Sequence, residues 1–284
     1  MNDDERGTRL KRAAADVGGA AERLPHGRPG AGTVRVTVAR SASDSTRTFE
    51  VRRHEPMMVL DLLLAIQREH DPSIGFRFSC RVAMCGTCTL RLDGTTVLAC
   101  QTPVPVDRDA VVLEPMAGLP VVRDLIVDTT AFWEQWARVT PYLVPVEGLD
   151  EPARLPQGSP ERELIDPSLD CITCGACYSS CGIADAGRDF LGPAALNRAM
   201  VLIADSRDDA AEQRLNAISA AGGIDRCHYI YGCTAACPKG LDPAGAIRRL
   251  RRWRRTGVPE PRVAPGGPAS DALAPTGETP EELA

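Results

Sequence analysis

Eleven cysteines fall into three groups, at positions 80, 85, 88 and 100, at 171, 174, 177 and 181, and at 227, 233 and 237. Their odd number excludes complete pairing into disulfides within one chain. A disulfide framework also belongs to short secreted proteins, whereas this sequence has 284 residues. Its opening Met-Asn-Asp-Asp-Glu-Arg has neither the apolar stretch of a secretion signal nor the acid-free composition of a mitochondrial one. Metal-bound thiolates in a reducing, cytoplasmic setting are therefore expected.

Cys80-x4-Cys85-x2-Cys88, with Cys100 beyond it, is the plant-type ferredoxin spacing for a [2Fe-2S] cluster. Gly86 inside that loop lets backbone amides approach the cluster sulfides, where a side chain would crowd them. Arg81 adds positive charge beside an anionic cluster. A zinc-binding interaction module is the competing reading, but four-cysteine zinc sites usually pair their ligands as C-x2-C.

Cys171-x2-Cys174-x2-Cys177-x3-Cys181 is the bacterial ferredoxin run, whose fourth cysteine serves the other cluster. A second run follows as Cys227-x2-Ile230-x2-Cys233-x3-Cys237-Pro238, with Ile230 where the second cysteine belongs. Exchanging the fourth cysteines makes Cys171, Cys174, Cys177 and Cys237 the ligands of a [4Fe-4S] cluster. Cys181, Cys227 and Cys233 remain as a set of three. An iron without a thiolate at Ile230 is held weakly, so a [3Fe-4S] cluster is expected there. The three sets use all eleven cysteines, leaving none for a disulfide or a nucleophile. Three unlike clusters in one chain describe a relay for single electrons, because potential depends on cluster type, charge and exposure. No G-x-G-x-x-G follows the first strand and no Walker loop occurs, so the sequence indicates no nucleotide site of its own.

These cysteines need a scaffold, and composition limits it. Hydrophobic residues at 43% and charged residues at 25% are those of a folded globular chain. A net charge of -5 argues against nucleic acid as a partner. No apolar run approaches the roughly 18 residues of a membrane span.

Residues 1–32 read as a flexible leader. Thr33–Arg40 alternates apolar and polar residues as a half-buried strand does, and Thr46–Arg52 repeats the pattern more weakly. Met57–His70 has helical spacing, Asp93-Gly94 turns a hairpin between Thr89–Leu92 and Thr95–Ala99, and Ala110–Leu113 is a further strand. Together they predict an α+β [2Fe-2S] unit over 33–140, including a connector helix at Thr129–Arg138. A Pro-rich linker spans 141–160. The next unit, 161–256, reads as all-helical, with helices at Pro193–Ala204, Asp208–Ala221 (capped by Asp208) and Pro238–Arg255. Residues 257–284 read as a disordered tail.

Ser79-Cys-Arg-Val-Ala-Met-Cys-Gly-Thr-Cys88, Leu98-Ala-Cys100, Cys171-Ile-Thr-Cys-Gly-Ala-Cys177, Phe190-Leu-Gly-Pro-Ala-Ala-Leu196 and Cys237-Pro-Lys-Gly240 resemble the motifs of the iron–sulfur subunits of succinate dehydrogenase and fumarate reductase. Pro120-Val-Val-Arg-Asp-Leu125 resembles that family's approach to its central connector. The resemblance covers residues 33–256 and implies a β-grasp [2Fe-2S] domain followed by a bacterial-ferredoxin-like helical domain. It further implies a flavoprotein partner holding FAD and the dicarboxylate site, a membrane anchor, and quinone beside the [3Fe-4S] cluster. The chain would then lie peripherally on the cytoplasmic face of a bacterial inner membrane. An iron–sulfur subunit serving a different flavoenzyme, soluble or not, is the alternative.

Two departures bear on the quinone. Cys181 is followed by Gly182-Ile-Ala-Asp185, without the proline and tryptophans of many succinate:ubiquinone members, and Phe190–Leu196 is closer to the fumarate reductase branch, pointing to menaquinone. His228 next to Cys227, with Ile230, belongs to the expected quinone and [3Fe-4S] vicinity, where His228 is either a hydrogen-bond partner of quinone or a half-buried residue tuning the cluster. Tyr229 and Tyr231 read as packing residues, and Lys239 as a charge partner of a cluster or a loop cap. Ile247–Arg255 carries six arginines, with Arg248, Arg251, Arg252 and Arg255 on one face. That face suits an anionic leaflet, at about 1 kcal/mol per residue.

Overall fold

The computed structural model describes residues 28–41, 45–147, 154–186 and 189–258. The expected leader up to residue 27, the middle of the linker and the tail from residue 259 lie outside the described residues.

Five strands form a mixed sheet in the order β2-β1-β5-β3-β4, from β1 (Arg28–Arg40), β2 (Ser45–Glu55), β3 (Thr89–Leu92), β4 (Thr95–Leu98) and β5 (Ala110–Glu114). β1 pairs antiparallel with β2 and parallel with β5, so the chain crosses from β2 to β3 before β5 returns beside β1. β1 begins at Arg28, five residues ahead of the predicted start. Pro29, Gly30 and Gly32 break the alternation there, and a bulge between Pro29 and Thr33 absorbs the irregularity. Alternate residues Val34, Val36 and Val38 are fully buried and meet Leu62, Leu63 and Ile66 of helix α1 (Val59–Glu69) in one core. Asp61 interrupts the apolar run for a local reason, since its carboxylate accepts from the Met58 N–H at 2.8 Å and closes the helix start.

A short hairpin, β6 (Val121–Arg123) with β7 (Ile126–Val127), leads away from the sheet. Its turn residue Asp124 is buried in a left-handed conformation and accepts from the N–H groups of Ser41 and Gly75. Met116, Leu119 and Val127 enter a second core, which also holds Phe132 of α2 (Thr130–Ala137), while Leu125 stays in the first.

That core surrounds α6 (Gly192–Ala204), whose Leu196, Ala199, Met200 and Ile203 are fully buried. Against it lie α3 (Pro160–Leu169), α7 (Ala211–Ser219) and α9 (Pro243–Thr256), and the single-turn helices α4 (Ala176–Ser179), α5 (Gly182–Asp185) and α8 (Gly232–Ala235) carry cysteine loops. Sequence periodicity gives no helix at α3 because Pro167 sits inside it. The start signal is nevertheless present: Ser159 Oγ accepts from the Arg162 N–H at 3.2 Å, followed by Pro160 and two acids in the first turn. The last helix starts at Pro243 instead of Pro238. Asp242 caps it by accepting from the Gly245 N–H at 2.9 Å, freeing 238–241 to turn around a cysteine.

Asp208 does not cap its helix. The helix begins at Ala211 with Ala210 at the cap position, and Asp208 turns inward. It is fully buried, pairs with the equally buried Arg214, and accepts from the N–H groups of Val144 at 3.0 Å and Ala210 at 2.9 Å. Arg214 donates onward to the carbonyls of Thr140 at 3.1 Å and Tyr142 at 2.6 Å. The first part of the Pro-rich stretch is thus strapped to the helices by a satisfied buried ion pair. Removing one member of such a pair leaves an uncompensated buried charge. Asp208→Ala is expected to lower stability by about 3–5 kcal/mol, while Asp208→Leu combined with Arg214→Met recovers most of it. Thermal melts of the complex carrying each variant check this.

Candidate iron–sulfur centres

The first cysteine group occupies a loop and the hairpin that follows it. Left-handed conformations at Arg81, Ala83 and Gly86 curl residues 80–88 so that backbone amides point inward. The N–H groups of Met84 and Cys85, each at 3.3 Å, and of Val82 at 3.5 Å donate to Cys80 Sγ. Cys88 enters β3 as Cys100 leaves β4. The register Thr89↔Leu98, with the Ala99 N–H donating to the Cys88 carbonyl at 3.1 Å, holds the two together. Arg81 stacks its guanidinium 5.3 Å from the Phe78 ring centroid.

In the second group, Cys171, Cys174, Cys177 and Cys237 line a single cavity. Left-handed residues Thr173 and Gly175 turn the first three toward it, and the Leu241 N–H donates to Cys237 Sγ at 3.4 Å. Among the described residues no three His, Cys, Asp or Glu side chains close on a point as one metal ion requires. These four ring a void instead. In the third group the thiols of Cys227 and Cys233 both feel Cys181, and Cys233 also feels Cys227. Cys237 thus lies at the cavity of the first run, and Cys181 lies near Cys227 and Cys233.

Burial dominates the electrostatics. It pushes the Cys88 thiol up to about 12 and Cys233 to about 11, and holds Cys177 well above the ordinary thiol range, where Cys174 and Cys171 raise it further. Cys85 goes the other way, to about 6, under hydrogen bonds from the Cys80 main chain and the Thr87 hydroxyl. A buried thiolate is stable only where a cation takes its charge, and a thiolate is what iron binds. The donor sets thus fit metal clusters.

His228 is exposed rather than half-buried, and Ile230 is 71% exposed beside Tyr231 at 44%. Of the six arginines on the last helix, three make contacts within the protein, Arg248 with a long 3.5 Å donation to the Tyr231 hydroxyl. Arg251 turns to backbone carbonyls and Arg254 pairs with Asp225, whereas Arg248, Arg249, Arg252 and Arg255 remain exposed. Lys239 lines the same cavity as the four cysteines of the second group.

The first loop lies directly on the second. A Cβ added to Gly86, at φ +68°, would stand 2.7 Å from both Cα and Cβ of Cys174. Cys174 and Ile172 pack against the core of the sheet unit, and Ser180 Oγ lies 3.2 Å from Thr96 Oγ1 across the same junction. Sequence reasoning assigns Gly86 to cluster approach alone. Nothing local in the sequence shows that its neighbour is a cysteine 88 positions on.

Residues 33–134 match the 2Fe-2S iron-sulfur cluster binding domain family, and residues 167–241 match the 4Fe-4S dicluster domain family. Over 233 residues the chain is 37% identical to succinate dehydrogenase [ubiquinone] iron-sulfur subunit 1, mitochondrial, of Oryza sativa subsp. japonica, covering 74% of this chain and 83% of that one. Over 204 residues it is 40% identical to the succinate dehydrogenase iron-sulfur subunit of Coxiella burnetii, covering 72% and 86%. The chain belongs to the family of succinate dehydrogenase iron–sulfur subunits. Its fold is also that of a chain in the Mycobacterium smegmatis Sdh1 complex in the apo form, with a TM-score of 0.71 at 22% identity over 82% of this chain and all of that one. As a member of this family, the chain binds [2Fe-2S] and [4Fe-4S] clusters within an α+β scaffold and works as part of a multi-subunit oxidoreductase.

Proposed function

We propose that this chain is the electron relay of a bacterial succinate:quinone oxidoreductase. It would carry electrons from FAD in a flavoprotein subunit to membrane quinone, menaquinone by preference, or in reverse for fumarate reduction. Beyond family membership, the observation that carries this reading is the contact of Gly86 with Cys174, which sets two cluster loops against each other.

In this reading Cys80, Cys85, Cys88 and Cys100 hold [2Fe-2S] in a β-grasp unit over 33–140. Cys171, Cys174, Cys177 and Cys237 hold [4Fe-4S], and Cys181, Cys227 and Cys233 hold [3Fe-4S], in a helical ferredoxin-like unit over 161–256. The clusters supply one-electron chemistry at potentials set by type, charge and exposure. The chain's own residues hold them in sequence. The inward amides at Cys80 Sγ stabilise thiolate charge, and burial of Cys88 and Cys233 keeps water from those sulfurs.

Val82 and Met84, 64% and 60% exposed on the first loop, suit an apolar contact with the flavoprotein. At the other end His228, Ile230 and Tyr231 suit an anchor subunit and quinone. Among the described residues no helix is long and apolar enough to cross a membrane. This reading calls for a membrane anchor subunit, with the chain peripheral on the cytoplasmic face of the inner membrane.

EPR of the detergent-solubilised native complex tests the reading. A three-iron signal in the oxidised sample should vanish on adding succinate as a reduced [2Fe-2S] signal appears. Clusters that ignore succinate overturn the substrate, and zinc without acid-labile sulfide overturns the relay.

A further inference from the structure

Arg251 lies on α9 between the buried Leu250 and Trp253, and its guanidinium turns away from bulk solvent. Nε and Nη2 donate to the Ile224 carbonyl at 3.0 and 2.8 Å, and Nη2 also donates to the Cys227 carbonyl at 2.8 Å. Cζ sits 4.8 Å from the centroid of the Tyr229 ring. One planar cation therefore clamps both ends of the turn that presents Cys227, and braces the residue whose N–H donates to Cys227 Sγ at 3.5 Å.

The nearest carboxylate is shared between two arginines, so it offsets at most part of this charge. Asp225 is held by Arg254 at 2.5 and 3.0 Å and lies 3.8 Å from Arg251 Nε. With its side chain only 26% exposed, Arg251 is less screened than a surface arginine. Its donation to the Cys227 carbonyl places the charge on the residue that carries the sulfur.

We propose that Arg251 is a positioning residue of the three-cysteine centre, fixing the Cys227 turn and raising the reduction potential of the cluster held there. Reduction adds one negative charge to the cluster, and a fixed cation beside a ligand favours the reduced form. Lysine keeps the charge but lacks the planar fork that spans two carbonyls. This inference rests on the [3Fe-4S] assignment above.

The test is a redox titration followed by the three-iron EPR signal in the native complex, comparing wild type, Arg251→Gln, Arg251→Lys and Arg249→Gln, the last on an exposed position of the same helix. Arg251→Gln should shift the one-electron equilibrium about tenfold toward the oxidised cluster, equivalent to ~59 mV. Arg251→Lys should stay near the wild-type potential with an altered line shape, and Arg249→Gln should match wild type. A cluster lost from Arg251→Gln but retained in Arg251→Lys also supports the proposal. Arg251→Gln at the wild-type potential overturns it, as does an equal shift in Arg249→Gln or loss of the cluster from both Arg251 variants. If wild type itself shows no three-iron signal, it is the cluster assignment that fails, and this inference with it.

Discussion

The Ile230→Cys variant is expected to lose the oxidised three-iron EPR signal and to gain a second four-iron cluster. The spacing of Cys227-x2-Ile230-x2-Cys233 lacks only this thiolate. The position is accessible: Ile230 is 71% exposed, on a turn between Tyr229 and Tyr231, both in left-handed conformations. Filling the fourth iron changes cluster type and charge at the end of the relay, and each ~59 mV of lowered potential costs about tenfold in a one-electron equilibrium. Succinate–quinone turnover should therefore fall by about tenfold or more, while succinate oxidation with an artificial acceptor at the flavin persists. Ile230→Ser supplies no thiolate and should keep the three-iron signal. An unchanged spectrum in Ile230→Cys, with the thiol shown to be free, would mean that this residue is not the missing ligand.

Gly86→Ala should have the second large effect. The new Cβ would stand 2.7 Å from Cα and Cβ of Cys174, so the clash is with a backbone atom and cannot be relieved by a rotamer change. The left-handed conformation adds about 1–2 kcal/mol for any residue other than glycine, and overpacking at a tight contact adds about 1–3 kcal/mol. Relief requires the two cluster loops to move apart. Gly158→Ala is the matched control, because its φ of +75° carries similar backbone strain with no heavy atom within 4 Å. In rapid-freeze EPR after mixing with succinate, Gly86→Ala should reduce the [2Fe-2S] cluster normally and pass electrons onward at least tenfold more slowly, since a tenfold rate change corresponds to about 1.4 kcal/mol. Gly158→Ala should differ from wild type only in stability. Equal kinetics in the two variants would show that the Gly86–Cys174 contact is not on the electron path.

Much of the scaffold is readable because its signals are local. The buried alternation of Val34, Val36 and Val38, the Asp93-Gly94 turn and the Pro193 helix start depend on neighbours a few residues away. The α3 helix carries an equally local start at Ser159 and Pro160, but its internal Pro167 masks the periodicity. The single-turn helices α4, α5 and α8 are too short for any period to show, and they form because the cysteine loops must turn sharply.

The cysteine spacing by itself groups all eleven thiols into three runs and singles out Ile230 as the break in the last of them, because separation along a loop is a property of the chain alone. Which surfaces meet is a different matter. Gly86 against Cys174, Asp208 turned inward to Arg214, and Arg251 turned to the Ile224 and Cys227 carbonyls all join residues distant in sequence or reverse what local propensity suggests. Asp208 is an apt helix cap until a buried guanidinium competes for it. Arg251 looks like part of a solvated basic face until the turn at Cys227 packs beneath it. Only the tertiary structure decides such cases, because the free energy of a buried charge depends on the partners that packing brings to it.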